Sequence, residues 1–171
     1  MKRFFITVVL VISALILFAQ NKIRTINERP ENNFNLNLFG DASIISINYE
    51  RLFIINPNLI LTGQLGLGYN EEFQICIFEP CSPPEQYLTV PHHVTLNLGN
   101  RRNFFEFGLG DTIICGNTSQ HYFLYPIAGY RLQPLRSINV NFRIYGSIPF
   151  TGLDTDDIIF IPFGLSTGVC F

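Results

Sequence analysis

The chain has 171 residues, the length of a single domain, and a formal net charge of −2. Hydrophobic residues make up 47% of it and charged residues only 14%. This composition excludes an ordinary, highly charged surface, and we expect neither a nucleic-acid partner nor a cofactor.

The first 20 residues are typical of a secretory signal peptide. Two basic residues precede an apolar run from Phe4 to Phe18, and a small residue, Ala19, lies near its end. We predict cleavage after Ala19 or Gln20, a polar periplasmic lead-in over 21–33 and a folded domain over 34–171. The alternative is an uncleaved membrane anchor, although the run is shorter than the roughly 20 residues that a helix needs to cross a bilayer. No later segment is apolar for long enough to do so.

From Phe34 onward, apolar and polar residues alternate at every second position. This alternation is typical of β-strands, because successive side chains of a strand point to opposite faces. It predicts eight strands, over residues 34–38, 45–50, 59–70, 90–99, 105–110, 122–133, 138–145 and 158–171. Gly40-Asp41 is predicted as a turn between the first two strands, with a bulge inside one long strand as the alternative.

The connections between these strands differ in length in a regular way. Short turns at Asn56, Asn100 and Pro134 follow the second, fourth and sixth strands, whereas longer connections follow the third, fifth and seventh. Outer-membrane barrels have short periplasmic turns and longer external loops. Acidic residues, Asp41 among them, are assigned to the outer end, and arginines such as Arg101 to the periplasmic end. The pattern predicts an eight-stranded antiparallel up-and-down transmembrane β-barrel in the bacterial outer membrane.

The last predicted strand, Ile158 to Phe171, has one apolar face and one face of small or weakly polar residues. Phe163, Leu165 and Val169 share the apolar face, and no residue after Asp157 is charged. A soluble strand usually carries charge on its outer face. The pattern therefore indicates lipid on one side of this strand and a packed barrel interior on the other.

A resemblance to a known family is carried by five segments: SINYER (Ser46 to Arg51), VPHHVTLNLG (Val90 to Gly99), FFEFGLG (Phe104 to Gly110), GYRLQP (Gly129 to Pro134) and GLSTGVCF (Gly164 to Phe171). In their order they resemble a family of small outer-membrane β-barrel proteins common in Bacteroidetes. The resemblance implies an eight-stranded barrel, and we expect such a barrel to contact outer-membrane lipid and lipopolysaccharide. It also implies a terminal aromatic residue, Phe171, like those read by the barrel-insertion machinery.

The resemblance implies no settled activity. We predict a monomer that is not an enzyme and that has a structural or surface-interaction role through its external loops. One alternative is an enzyme that modifies lipid A, of the deacylase or acyltransferase type. Ser119 and His121 are the adjacent candidates for it at the outer rim, but no acid obviously orients His121.

A second alternative is a soluble lipocalin-like barrel that binds a ligand. Such a barrel would hold its Leu and Phe side chains inside and carry Lys and Glu outside. The polar faces of the predicted strands are instead rich in Gly, Asn and Ser, which favours a crowded lumen.

Four charged residues are predicted on the inward face: Glu50, Glu106, Arg131 and Arg143. Burying an unpaired charge costs several kcal/mol per ion, so we expect a paired network that plugs the lumen near the periplasmic mouth. Glu106 and Arg131 lie on neighbouring strands and are predicted as a pair. The alternative is a conducting pathway or proton relay, although eight strands leave an interior barely wide enough for side chains.

Export would place the cysteines in an oxidising compartment. We predict a disulfide between Cys76 and Cys81, with a pairing of Cys81 and Cys115 as the alternative, and an unpaired Cys170. No metal site is predicted, because the chain has no paired Cys-x-x-Cys spacing. The adjacent residues His92 and His93 point to opposite faces of one strand and cannot share a metal ion.

Overall fold

The alternating residues form eight antiparallel strands in a computed structural model, which describes residues 29–72, 83–118, 120–135, 139–150 and 158–171. The strands are β1 (Asn32–Leu38), β2 (Ile45–Asn56), β3 (Leu59–Glu71), β4 (Gln86–Asn100), β5 (Asn103–Cys115), β6 (Tyr122–Leu132), β7 (Asn139–Ser147) and β8 (Phe163–Cys170). The predicted signal peptide lies outside the described residues. Within them, no helix is long and apolar enough to cross a membrane.

The barrel is closed, because each strand pairs with the next and β8 pairs back with β1. In this last pairing Phe34 lies opposite Val169, and Leu38 lies opposite Leu165. Closure gives every strand two neighbours and leaves no unpaired sheet edge. The predicted eight-stranded antiparallel barrel is confirmed.

Several strand bounds differ from the predicted ones. β1 begins at Asn32, inside the segment predicted as a lead-in. The largest difference is at β8, which begins at Phe163 and not at Ile158. Pro162 precedes it and has no N–H to donate to a strand ladder, so the residues before it leave the barrel wall. Ile158 is instead buried in an apolar cluster inside the barrel.

The barrel interior is polar in the middle and apolar at both ends. At the end of the short turns, Leu52, Ile60 and Phe104 form a buried cluster, here called the lower plug. At the end of the long connections a larger cluster, the upper plug, consists of Ala42, Tyr87, Ile114, Phe123, Tyr125, Ile127, Tyr145 and Ile158. We predicted that polar and ion-paired side chains plug the lumen. The structure adds apolar side chains, which occupy the inward positions near both rims.

The turn between β1 and β2 folds into the barrel. Gly40 and Ala42 have left-handed backbone, with φ of 83° and 50°. Ser147 Oγ donates a hydrogen bond to the Gly40 carbonyl oxygen, and Asn70 Nδ2 donates one to the Ala42 carbonyl oxygen, both at 2.8 Å. Asp41 consequently lies at the end of the long connections, as assigned, but it is fully buried in the barrel there. The segment is a turn and not a bulge, because it separates two strands.

Replacing Gly40 with alanine is expected to lower the free energy of unfolding by about 2 kcal/mol. A Cβ at Gly40 would lie 2.7 Å from the Gly164 Cα atom, and its positive φ strains any L-residue. Gly63→Ala is the matched control, because a Cβ at Gly63 meets no atom within 4 Å. Urea unfolding of both variants should show a change within about 0.5 kcal/mol for the control. Equal losses in the two variants would contradict this account of the turn.

Candidate functional site in the barrel interior

Four buried charged side chains meet between the two plugs. The Arg131 guanidinium donates to both oxygens of the Glu50 carboxylate, at 2.7 and 2.5 Å. Its Nη2 atom also lies 3.3 Å from Glu106 Oε1, and Arg143 Nε donates to Glu106 Oε2 at 2.6 Å. The four side chains thus form a continuous chain of ion pairs, the lower network, in which two acids balance two bases.

Four different strands supply the lower network. Glu50 lies on β2 and Arg131 on β6, which are not neighbours in the barrel, so their contact crosses the lumen. Arg131 and Arg143 lie opposite each other on β6 and β7, and Glu106 contacts both guanidinium groups. The predicted pair of Glu106 and Arg131 is present at 3.3 Å, but Glu50 with Arg131 and Glu106 with Arg143 are closer. Long side chains in a narrow lumen reach past their strand neighbours.

Neutral polar side chains add hydrogen bonds to this network. Asn33 Nδ2 donates to Glu50 at 2.7 Å, and Thr95 Oγ1 donates to Glu106 at 2.6 Å. Arg143 Nη1 donates to the Gln64 side-chain oxygen at 3.1 Å. Buried carboxylates are stable only when such donors replace the water that they lose. The inward Asn, Gln and Thr residues of the barrel therefore have an electrostatic role.

A second polar cluster, the upper network, surrounds Asp41. The Asp41 carboxylate accepts hydrogen bonds from the Tyr145 hydroxyl and from Asn37 Nδ2, the latter at 2.7 Å. His93 Nε2 lies 3.3 Å from Asp41 Oδ1 and 3.0 Å from the Tyr125 hydroxyl oxygen. All these side chains are buried. The inward turn thus places a carboxylate next to polar side chains of β1, β4 and β7.

The electrostatics of Asp41 are set by its neighbours. Burial raises the pKa of the Asp41 carboxyl, but the charge and hydrogen bond of His93, the charge of Arg143 and the hydrogen bond from Tyr145 lower it by more. The pKa therefore lies below its usual value, and Asp41 is ionised at neutral pH. Arg143 connects the two networks, since its guanidinium carbon lies 4.1 Å from the centroid of the Tyr145 ring.

A further basic side chain lies at the short-turn end of the lumen. At the short-turn end, the Arg29 guanidinium lies 5.0 Å from the centroid of the Phe104 ring, beneath the lower plug. Its Nη2 atom donates to the Arg101 carbonyl oxygen at 2.7 Å. Among the described residues, no group of three or more His, Cys, Asp or Glu side chains is placed to hold a metal ion. This arrangement favours the pairing and burial of charge over its transport.

Except for the buried Cys170, the other residues singled out in the sequence lie outside the interior or outside the described residues. His121 is exposed just before β6, and Ser119 is not described. Cys76 and Cys81 also lie outside the described residues, so their disulfide stays a prediction. Cys115 is exposed and Cys170 is buried, and both have free thiols.

Three members of the upper network, Asp41, Tyr125 and Tyr145, were not predicted from the sequence as site residues. The alternation places Tyr145 on the inward face together with Arg143, and Tyr125, an even number of residues from Arg131 on the same strand, could have been placed inside in the same way. Asp41 had no such signal, because side chains in a turn do not alternate. Only the path of the turn shows that it is buried.

Comparisons with known proteins assign no family to this chain. No protein-family model, no curated protein and no solved structure matches it. A function must therefore rest on the barrel and on the side chains described above.

Proposed function

We propose that this protein is a small integral β-barrel of the bacterial outer membrane with a closed lumen. Its role in this proposal is structural or interactive, through the connections at the long-loop end and through contact with lipid and lipopolysaccharide. The observation that carries the proposal is the distribution of polarity, with apolar side chains outside and paired charges inside. The barrel would then support the connections at its long-loop end and would not act as a pore.

The outer wall carries apolar side chains on every strand. Phe105 is 63% exposed, Leu67 is 61% exposed and Val94 is 60% exposed. Further exposed members on the other strands are Phe34, Leu36, Ile47, Leu124, Phe142, Ile144 and Val169. Soluble monomers rarely expose a contiguous apolar surface larger than a few hundred Å². Such a continuous band around a closed barrel suits the hydrocarbon of a bilayer, which is about 25 Å tall in outer-membrane barrels.

Aromatic residues are placed outside at both rims of the barrel. At the short-turn rim the Tyr130 ring packs 5.9 Å from the Phe105 ring, and the Tyr130 hydroxyl donates to Asn103 Oδ1 at 2.8 Å. At the other rim Tyr122 and Phe163 are more than half exposed. Aromatic girdles of this kind mark the two interfaces of a membrane barrel, because their rings tolerate both lipid and headgroups.

The interior supports the same proposal against a soluble ligand-binding barrel. A lipocalin-like cavity would be lined by apolar side chains and would be empty enough to hold a ligand. Here Glu50, Arg131, Glu106 and Arg143 fill the middle of the lumen, and they are all buried. A water-soluble barrel would need the opposite arrangement, with the charged residues on the outer wall and the Leu and Phe residues inside.

Fractionation and heat-modifiability gels test the membrane assignment. We expect the expressed protein in the outer-membrane fraction, with an unboiled band that migrates differently from the boiled one, because a closed barrel resists unfolding by detergent. The Gly63→Ala variant should show the same shift. A soluble periplasmic protein without a shift would overturn the outward assignment of every apolar face.

Planar bilayer recordings test the closed lumen. We expect no steady single-channel conductance from the purified barrel, because both plugs and the lower network fill an interior only as wide as its own side chains. An open porin added to the same bilayer serves as the positive control for insertion and detection. Reproducible conductance steps from this protein would show a conducting pathway and would contradict the proposal.

A further inference from the structure

A polar pair lies on the outer wall of the barrel, away from the interior networks. His92 of β4 and Asp111 of β5 are register partners, and His92 Nε2 lies 3.6 Å from Asp111 Oδ2. Their side chains are 39% and 30% exposed. Exposed apolar residues flank the pair on both sides along the strands, with Leu88 and Ile113 above it and Val94 and Leu109 below it. The pair thus interrupts an otherwise apolar surface.

The height of this pair follows from strand geometry. At a rise of about 3.4 Å per residue and a tilt of about 40°, the outward positions from Leu88 to Leu98 span about 26 Å along the barrel axis. His92 lies about 10 Å inside the upper limit of this band on the same measure. If the barrel spans a membrane as proposed above, the pair faces lipid chains below the headgroups. Ionisable side chains at such a depth are costly and usually mark a functional site.

The wall is recessed next to the pair. An open groove of 560 Å³ is lined by His92 and Asp111 together with Leu65, Val94, Leu109 and Leu124, among others. Gly63 on β3 opens the groove further, since no atom lies within 4 Å of the position a Cβ would take there. Small-molecule sites have volumes of about 300 to 1,000 Å³ and combine apolar walls with a few polar groups. This groove has both properties.

The hydrogen bonding of the pair is incomplete. His92 Nδ1 lies 3.2 Å from the carbonyl oxygen of Val90, which holds the imidazole against the wall. Asp111 Oδ1 is buried and has no hydrogen-bond partner among the described residues, and Oδ2 has only the His92 contact at 3.6 Å, so a ligand in the groove would meet the carboxylate through Oδ2. A carboxylate in apolar surroundings requires donors. The chemistry of the groove therefore selects a ligand that brings a hydroxyl or an N–H group.

We propose that this groove binds one membrane amphiphile, whose alkyl chain lies along Leu65, Val94 and Leu109 and whose hydroxyl or N–H donates to Asp111. The inference rests on the proposed membrane location. A lipid suits the site better than a protein partner, because the polar pair lies at the depth of acyl chains and the recess has the size of a small-molecule site. His92 Nε2 lies beside the carboxylate on the neighbouring strand, at 3.6 Å from Oδ2.

A lipid titration tests the proposal. The barrel is purified in dodecylphosphocholine micelles, whose headgroup carries no donor, and 1-monomyristin is titrated while backbone amide NMR signals are recorded. We expect saturable shifts centred on Gly63, His92 and Asp111. The dimethyl ether of 1-monomyristin keeps the chain but has no donor, and it should bind at least about tenfold more weakly. Equal binding of the two compounds would overturn the role of Asp111.

Two variants separate the polar contact from the groove itself. Asp111→Leu removes the carboxylate while matching the surrounding wall, and it should abolish the preference for the donor-bearing compound. Gly63→Phe fills the recess and keeps both members of the pair, and it should abolish the saturable shifts with both compounds. Each variant is first checked for its heat-modifiable band, which shows that it has folded. If one variant fails to fold, the other still tests the proposed lipid site.

The remaining outcomes distinguish this inference from the proposed function. A heat-modifiable outer-membrane protein that shows no saturable shifts would overturn the lipid site alone. The Gly63→Phe variant could also change its oligomeric state and keep its lipid binding. That result would show that a second copy of the chain covers the groove, and it would overturn the lipid site as well. A protein absent from the outer-membrane fraction would overturn both proposals.

Discussion

Replacing Arg131 with methionine is expected to lower the free energy of unfolding by about 3 to 5 kcal/mol. Arg131 is buried, it donates to both oxygens of Glu50 and it contacts Glu106. Methionine fills a similar space but leaves Glu50 as a buried carboxylate without its main cation. Desolvation of that charge is then no longer offset by the ion pair, which explains the size of the loss.

The matched control removes both members of the pair. In the double variant Arg131→Met with Glu50→Gln, the remaining ions, Glu106 and Arg143, still contact each other at 2.6 Å. We therefore expect the double variant to regain a large part of the stability lost in Arg131→Met. Reversible urea unfolding in lipid vesicles measures all three proteins. A single variant within about 1 kcal/mol of the wild type would contradict a stabilising lower network.

Replacing Asp41 with alanine is expected to cost about 3 kcal/mol or more at neutral pH, because buried donors lose their acceptor. Tyr145 and Asn37 both donate to this carboxylate, and His93 lies 3.3 Å from it. Ser46→Ala is the control, since it removes one donor to the same carboxylate at 3.3 Å, together with the acceptor of Asn48 Nδ2 at 2.8 Å, and leaves the Asp41 carboxylate in place. Its cost should be about 1 kcal/mol. The same urea unfolding measures both, and equal costs would contradict the central place of Asp41.

The effect of Asp41 depends on pH with a definite sign. Burial raises its pKa, and His93, Arg143 and Tyr145 together lower it by more, so that the folded pKa lies below the usual value. A lowered folded pKa contributes stability above the unfolded pKa of about 4, and this stability is lost as pH falls through the folded pKa. The difference in unfolding free energy between wild type and Asp41→Ala should therefore shrink below about pH 4. A difference that grows as pH falls would contradict this.

Much of the fold was predictable because a β-strand is encoded locally. Polar and apolar residues alternate along β1, β2 and β3, and this alternation alone assigns Asn35, Asn48 and Gln64 to the inside. The turns at Asn56 and Asn100 then follow from the gaps between strands. The start of β8 was less predictable, because the apolar pattern continues across Pro162 although its missing N–H ends the ladder.

The interior site was predictable only in part. The alternation placed Glu50, Glu106, Arg131 and Arg143 on inward faces, where the structure also has them. It could not say which acid meets which base, because that depends on strand tilt, on the width of the lumen and on side-chain reach. The Glu50 contact with Arg131 joins two strands that are not neighbours, so no rule for adjacent strands predicts it.

The sequence by itself therefore determined the eight strands, their inward and outward faces and the presence of charges inside, since each depends on residues close together in the chain. The tertiary structure alone decided the burial of Asp41, the order of the ion pairs and the meeting of His92 with Asp111. The physical reason is that closing the barrel sets register and tilt for all strands together. Those two quantities fix which distant side chains meet, and no local pattern contains them.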